Sequence, residues 1–264
     1  MRDDVLDQII SNPELPFAMI YREVGGSRQV DLLILEKRTA GTIGEGMNYA
    51  GGSHHGSLLV LPYRQVKERG FEAIDDGMEI YALPIRERAT KDLSFVLERI
   101  PDIDLSFSEP GFNIDDQGFA EIVRRLIDTE IAGGTGSNFV LHRKLCCTVE
   151  GYTSAHLLTM FRRLLTAETN AHWVYVIHTG DYDFAGASPE LHAGLRGDVL
   201  TMNPISGTLS RGAAETRDGL RAFLSDEKEI SELFMVVDEE LKSMARLCPE
   251  GVRVSGQISS GFSA

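Results

Sequence analysis

Cysteine is scarce in this chain. Three residues in 264 are cysteine, Cys146, Cys147 and Cys248. The odd count and the adjacent pair give no disulfide framework. The pair lies in an apolar stretch, Lys144 to Val149, and is expected to be buried and inert. No apolar run approaches the roughly 20 residues that a bilayer-spanning helix needs. Basic residues are outnumbered, 26 Lys and Arg against 40 Asp and Glu, for a net charge of −14. That balance argues against a nucleic-acid or anionic-membrane partner, since both attract basic surfaces. An anionic ligand would need a local basic or metal-bearing pocket working against the global field. No His-x-x-x-His or Cys-x-x-Cys spacing points to zinc. A nucleophile elbow, a phosphate loop and a dinucleotide fingerprint are likewise missing. The start, MRDDVLDQII, lacks a signal peptide's basic-then-apolar order, so cytoplasm is the expected location.

The patterning that remains is that of an ordinary globular chain. Val30 to Glu36 reads as a buried strand from its continuous apolar run. Ser57 to Tyr63, Met78 to Ile85 and Asn138 to Leu145 read as further strands. Gly41 to Gly56, glycine-rich and containing His54 and His55, reads as a surface loop. Asp115 to Ile131 is the clearest helix, with an Asp cap at its start and Gly133-Gly134 at its end. Thr153 to Ala167, Gly212 to Leu224 and Ser225 to Leu247 are also helical, the last with Asp226 and Glu229 spaced as a capping box. Strands adjoin strands without strict alternation with helices, which argues α+β with largely antiparallel sheet.

The densest information lies between His172 and Gly212. Strands there are interrupted by Gly186-Ala187-Ser188-Pro189-Glu190 and by Pro204-Ile205-Ser206-Gly207-Thr208. Two turns held by a sheet would carry a carboxylate and a hydroxyl, and such turns are where catalytic groups usually sit. Pro189 fixes the backbone before Glu190, and Gly186 allows a close turn. Glu190 is also readable as a plain solvent-exposed capping residue. Gly207 lets the backbone beside Thr208 approach a ligand, although a Thr in a turn often bonds only its own backbone. Glu229 and Glu232 share a helix face. Leu233-Phe234-Met235-Val236-Val237 makes that helix apolar nearly all round, so a carboxylate there is costly unless paired or on a metal. For Glu229 the simpler reading is a capping-box acid. Asp238, Glu239 and Glu240 read as a solvated acidic face.

G-A-S-P-E followed by P-I-S-G-T resembles the chorismate-utilising enzymes, whose second motif usually has Ala where Ser206 stands. LPYRQVKERGFEAIDDG (61–77), FAEIVRRLIDTEIAGGTGSNFVLHR (119–143) and MVVDEELKSMARLCPEGVRVSG (235–256) are similar to one branch. That branch is the 2-amino-2-deoxyisochorismate synthases of phenazine-type and enediyne-type pathways, relatives of anthranilate synthase component I. The resemblance implies a single chorismate-binding domain of two packed, mostly antiparallel sheets flanked by helices. It implies Glu190 as general acid toward the C4 hydroxyl of chorismate. Ser206, Gly207 and Thr208 would line the substrate, and Glu229 and Glu232 would hold Mg²⁺ and meet a substrate carboxylate. Members that add water carry a Lys in a K-V-x-L-x-R context. Here Asn138 stands in that place, and an amide cannot deprotonate water. It can orient ammonia, which favours amination at C2, although an Asn satisfying strand-end backbone is common. The chain carries no amidotransferase module, so ammonia would come from a glutamine amidotransferase subunit or the medium. A homodimer is admitted as an assembly. The resemblance stops near Gly256, and residues 257–264 read as a truncated or frame-shifted end. Half the metal glutamates would then be missing, and weak or no activity is expected of the chain alone.

Overall fold

The computed structural model describes residues 4–24, 26–136, 138–168 and 171–254. The unusual tail at 257–264 lies outside them. By internal contacts the chain divides into two compact units, Met1–Glu168 with Val174–Gly186, and Thr169–Trp173 with Ala187–Ala264.

The first unit is organised by β1 (Phe17–Val24), β2 (Ser27–Leu35), β3 (Arg38–Ala40), β4 (Ser57–Val60), β5 (Ile80–Asp92), β8 (Trp173–His178) and β9 (Asp183–Ser188). They form one seven-stranded sheet in the order β3-β5-β2-β1-β8-β9, with β4 also on β5. The pairings registered for it are all antiparallel. The 13-residue β5 serves two sets of neighbours. Its far half pairs with β2, from Gln29↔Asp92 to Leu35↔Ile85, and Ile80–Pro84 pairs with β3 and β4. A register shift between Ile34 and Leu35 marks the change of partner.

The continuous apolar run of β2 is buried, as a strand covered on both faces should be. One face packs with Ala18, Ile20, Tyr81, Leu83 and Ile85. Helices α1 (Val5–Ser11), α3 (Leu93–Arg99) and α5 (Ser154–Ala167) add the buried side chains Leu6, Ile9, Val96, Leu157 and Phe161. Each such side chain removed from water contributes roughly 1.5–3 kcal/mol. Asp31 is the polar exception in β2. Its carboxylate accepts from Arg22 at 2.6 Å, Arg88 at 3.1 Å and Thr90 at 2.8 Å. Burial pushes the Asp31 pKa up, but Thr90, Arg88 and Arg22 outweigh it and hold the group below the usual carboxylate range.

Several sequence expectations are corrected in this unit. Gly41–Gly56 is not all loop, because Ile43–Ala50 forms α2. Thr42 caps its start, and Glu45 reaches back to the Gly41 N–H at 3.0 Å. Asn138 is exposed and lies in irregular backbone, not in a strand. The strand starts later, at β7 (Leu145–Val149), paired with β6 (Phe107–Phe112). Pairing begins where Asn113 and Lys144 exchange backbone and side-chain hydrogen bonds at 2.9 and 2.7 Å. Cys146 and Cys147 are exposed on that two-stranded ribbon rather than buried. The clearest predicted helix is present as α4 (Asp116–Arg125), capped by Asp115 and continued as a π-helical turn over Leu126–Ile131.

The second unit contains an antiparallel hairpin, β10 (Leu191–Arg196) and β11 (Val199–Asn203). After it come α6 (Arg211–Ala214), α7 (Arg217–Leu224) and α8 (Glu227–Leu247). The single helix expected over Gly212–Leu224 is thus two, divided where Thr216 caps α7.

Candidate active site

The Gly-Ala-Ser of the first motif is the end of β9, not a turn. Gly186 is needed there because the Tyr175 phenol lies over it, and a Cβ would sit 2.7 Å from the Tyr175 hydroxyl. Pro189 and Glu190 then link β9 to β10. The Ser188 hydroxyl donates to the Glu190 carbonyl at 3.0 Å and fixes the link locally. The Glu190 residue is half-buried.

The hairpin register brings the two motifs to one place. Leu191 pairs with Asn203. Glu190, immediately before Leu191, and Pro204–Thr208, immediately after Asn203, therefore leave the same end of the ribbon. Pro204–Thr208 is irregular backbone with no turn or bend, so the second expected turn is corrected as well; Thr208 is exposed and Ser206 half-buried. Gly207 packs against α7 and α8. A Cβ on it would fall 2.2 Å from Glu229 Oε2 and 2.6 Å from the Phe223 ring. The glycine thus lets the second motif touch the α8 carboxylate.

Glu229 does not complete the capping box expected for it. Asp226 caps α8, accepting from the Lys228 and Glu229 N–H groups at 2.9 and 3.1 Å. Lys228 Nζ donates to Glu229 Oε1 at 2.9 Å and to Glu232 Oε2 at 3.3 Å. Glu229 Oε2 is buried beside Gly207 with no hydrogen-bond partner. The two glutamates raise the Lys228 pKa, Glu229 more than Glu232. Lys228 was missed from sequence, although its (i, i+4) spacing to Glu232 is a legible pairing signal. Glu240 also departs from the expected solvated face, since its Oε2 is buried and unpartnered. Asp238 and Glu239 do pair with Lys242 in the open, at 2.7 Å each.

The donor set at Glu229 and Glu232 suits Mg²⁺, which takes hard oxygens, keeps waters and is commonly held by one or two carboxylates. The orphaned Glu229 Oε2 is an observation in favour. Among the described residues no group of three or more His, Cys, Asp or Glu is arranged to hold a metal. The fit is therefore to a two-carboxylate hold, with the Lys228 ammonium as a local competitor. Asn138 belongs to the first unit, and the site geometry above does not include it.

Antiparallel α+β sheets flanked by helices, with an acid and a glycine-bearing segment at one hairpin end, define the class. Residues 99–259 match the family described as chorismate binding enzyme, and the chain belongs to that family. It is similar to "Anthranilate synthase, phenazine specific" of Pseudomonas chlororaphis, 38% identical over 257 residues. The alignment covers 96% of this chain and 40% of that relative. The protein of the same name from Pseudomonas fluorescens is 37% identical over the same length. "Anthranilate synthase component 1" of Spirochaeta aurantia is 36% identical over 101 residues, 38% of this chain and 21% of that relative. The chain thus spans about 40% of the length of the Pseudomonas relatives. No helix among the described residues is long and apolar enough to cross a membrane.

Proposed function

We propose that this chain contributes the acid and metal-binding part of a chorismate-aminating synthase of the 2-amino-2-deoxyisochorismate type. The observation that carries the reading is the hairpin end where Glu190 and the Gly207 segment emerge together, with Glu229 against Gly207. Ammonia adds at C2, the C4 hydroxyl leaves, and the enolpyruvyl group is retained, so water is the only by-product. Glu190 donates the proton that the departing hydroxyl needs, because hydroxide is a poor leaving group. Ser206, Gly207 and Thr208 line the substrate. When bound, Mg²⁺ would supply charge stabilisation at a substrate carboxylate, with Glu229 and Glu232 as its protein ligands. A glutamine amidotransferase subunit supplies ammonia in the cytoplasm, and two copies of the chain can pair. The family match runs across both units, which supports reading them as parts of one domain.

The names of the relatives favour a second reading, anthranilate synthase chemistry, in which the same amination is followed by pyruvate elimination. A non-catalytic, partner-binding remnant is the third. The chain, alone and joined to the remaining length of the Pseudomonas chlororaphis relative, is incubated with chorismate, Mg²⁺ and ammonium. An aminated product that keeps its enolpyruvyl group is expected from the joined form. Pyruvate release would select the anthranilate reading, and no turnover in either form would select the remnant. Glu190→Gln in the joined form is expected to lower turnover roughly 10²–10⁴-fold with chorismate still bound.

A further inference from the structure

Lys228 stands where helix electrostatics would not put it. Helix α8 begins at Glu227, behind the Asp226 cap. Lys228 is therefore in the first turn, the end of a helix that favours negative charge. Glu227 and Glu229 suit that end, and an ammonium does not. Neighbours in sequence do not face each other on a helix. The lysine nevertheless curls round to reach Glu229 Oε1 at 2.9 Å, and it spans one turn to Glu232 Oε2 at 3.3 Å. A single cation thus lies between two carboxylates, as a bound metal ion would.

The same helix supplies a contrast. Lys242 also bridges two acids, Asp238 and Glu239, at 2.7 Å each. Those two side chains are 64% and 70% exposed, and such open pairs hold weakly. Glu229 is only 21% exposed. Its Oε2 is buried beside Gly207 with no hydrogen-bond partner, so one oxygen is withheld from both water and the lysine. A carboxylate in that state is costly until a cation meets it. The Lys228 side chain is 75% exposed and is free to swing back into water. The acids are fixed at the site, and the ammonium is not.

A divalent ion and an ammonium repel each other strongly within a few ångströms, so the two do not share these carboxylates. We propose that Lys228 is the resident counter-ion of this site. It holds Glu229 and Glu232 together in the absence of metal, gives way when a divalent cation binds, and so sets the affinity of the site. Lys228 is a positioning residue, not a catalytic one. The inference rests on the reading of Glu229 and Glu232 as metal ligands.

The full chain is titrated with Mg²⁺ while the amide shifts of Glu229 and Glu232 are followed by NMR. The wild type is compared with Lys228→Gln, Lys228→Arg and Lys242→Gln. A saturable shift is expected in the wild type. Lys228→Gln is expected to tighten Mg²⁺ binding about three- to tenfold, the worth of two exposed ion pairs removed from competition. Lys228→Arg keeps the charge and is expected to bind as the wild type does. Lys242→Gln removes the same charge roughly 20 Å along the helix, beyond the roughly 8 Å screening length at physiological salt, and is expected to leave the affinity unchanged. A lysine that merely shaped the helix would, once removed, leave Mg²⁺ binding unchanged or weaken it. Either of those results in Lys228→Gln, beside a saturable wild-type shift, would overturn the lysine's role alone. Equal tightening in Lys242→Gln or in Lys228→Arg would overturn it as well, because competition by this ammonium would not explain the gain. No saturable shift in any of the four proteins would overturn the metal reading together with the proposal.

Discussion

The two units differ in what they bury. The first places Phe17, Leu32, Leu83, Phe161 and Val176 at 3% exposure or less around one antiparallel sheet. In the second, no described residue is buried, and Leu220, Leu224 and Leu247 remain 43%, 70% and 67% exposed. Yet the second carries Glu190, the Gly207 segment, Glu229 and Glu232. Stability and candidate chemistry are thus drawn from different parts of the chain. A well-filled sheet tolerates little change in volume. A hairpin end with two carboxylates is set instead by close approaches and charge.

Removing core volume should therefore have the largest effect on stability. Phe161→Ala in α5 empties a fully buried site and is expected to cost roughly 3–5 kcal/mol, read as a lowered urea midpoint. Gly207→Ala tests the other regime. Its methyl would collide with Glu229 Oε2 and the Phe223 ring, and the overpacking is expected to cost roughly 1–3 kcal/mol. Its distinguishing sign is weaker Mg²⁺ binding in a titration, because the displaced group is a proposed ligand.

A smaller effect separates the units by pH. In the first, Asp31 and Asp183 both sit below their ordinary pKa. For Asp183, burial pushes up, but hydrogen bonds from His178 at 2.6 Å and from Tyr152 outweigh it. A depressed carboxylate contributes stability that is present above its unfolded pKa and lost as pH falls through the folded one. The unfolding midpoint should hold to about pH 4 and fall below it, and Asp31→Asn should flatten that fall. The smallest effect is expected at Leu247→Ala, within about 0.5 kcal/mol. A loss comparable to Phe161→Ala would erase the contrast between the units.

Much of the fold was legible because period and caps agreed. Thr153 opens α5, and Asp115 opens α4 as its spacing predicts. The misses share a cause. Thr42-x-x-Glu45 is a capping-box pattern, but Gly44 and Gly46 lower helix propensity and hid α2 among loop residues. Cys146 and Cys147 sit in an apolar stretch, yet burial depends on a covering layer that local sequence does not encode. At the candidate site, the two motifs came with the resemblance, and only the shared helix face of Glu229 and Glu232 was readable from spacing. The contact between Gly207 and Glu229 was not, since it depends on how the segment after β11 lies on α8. The Lys228 bridge was readable in principle from its spacing, and the buried Oε2 of Glu240 was not.

The most direct test of the central claim follows the amides of Glu190, Ser206–Thr208 and Lys228–Glu232 while Mg²⁺ and then chorismate are added. All three segments are expected to shift together, with one saturation curve for each ligand. Shifts restricted to Lys228–Glu232, with Glu190 and the Gly207 segment silent to both ligands, would contradict a shared site.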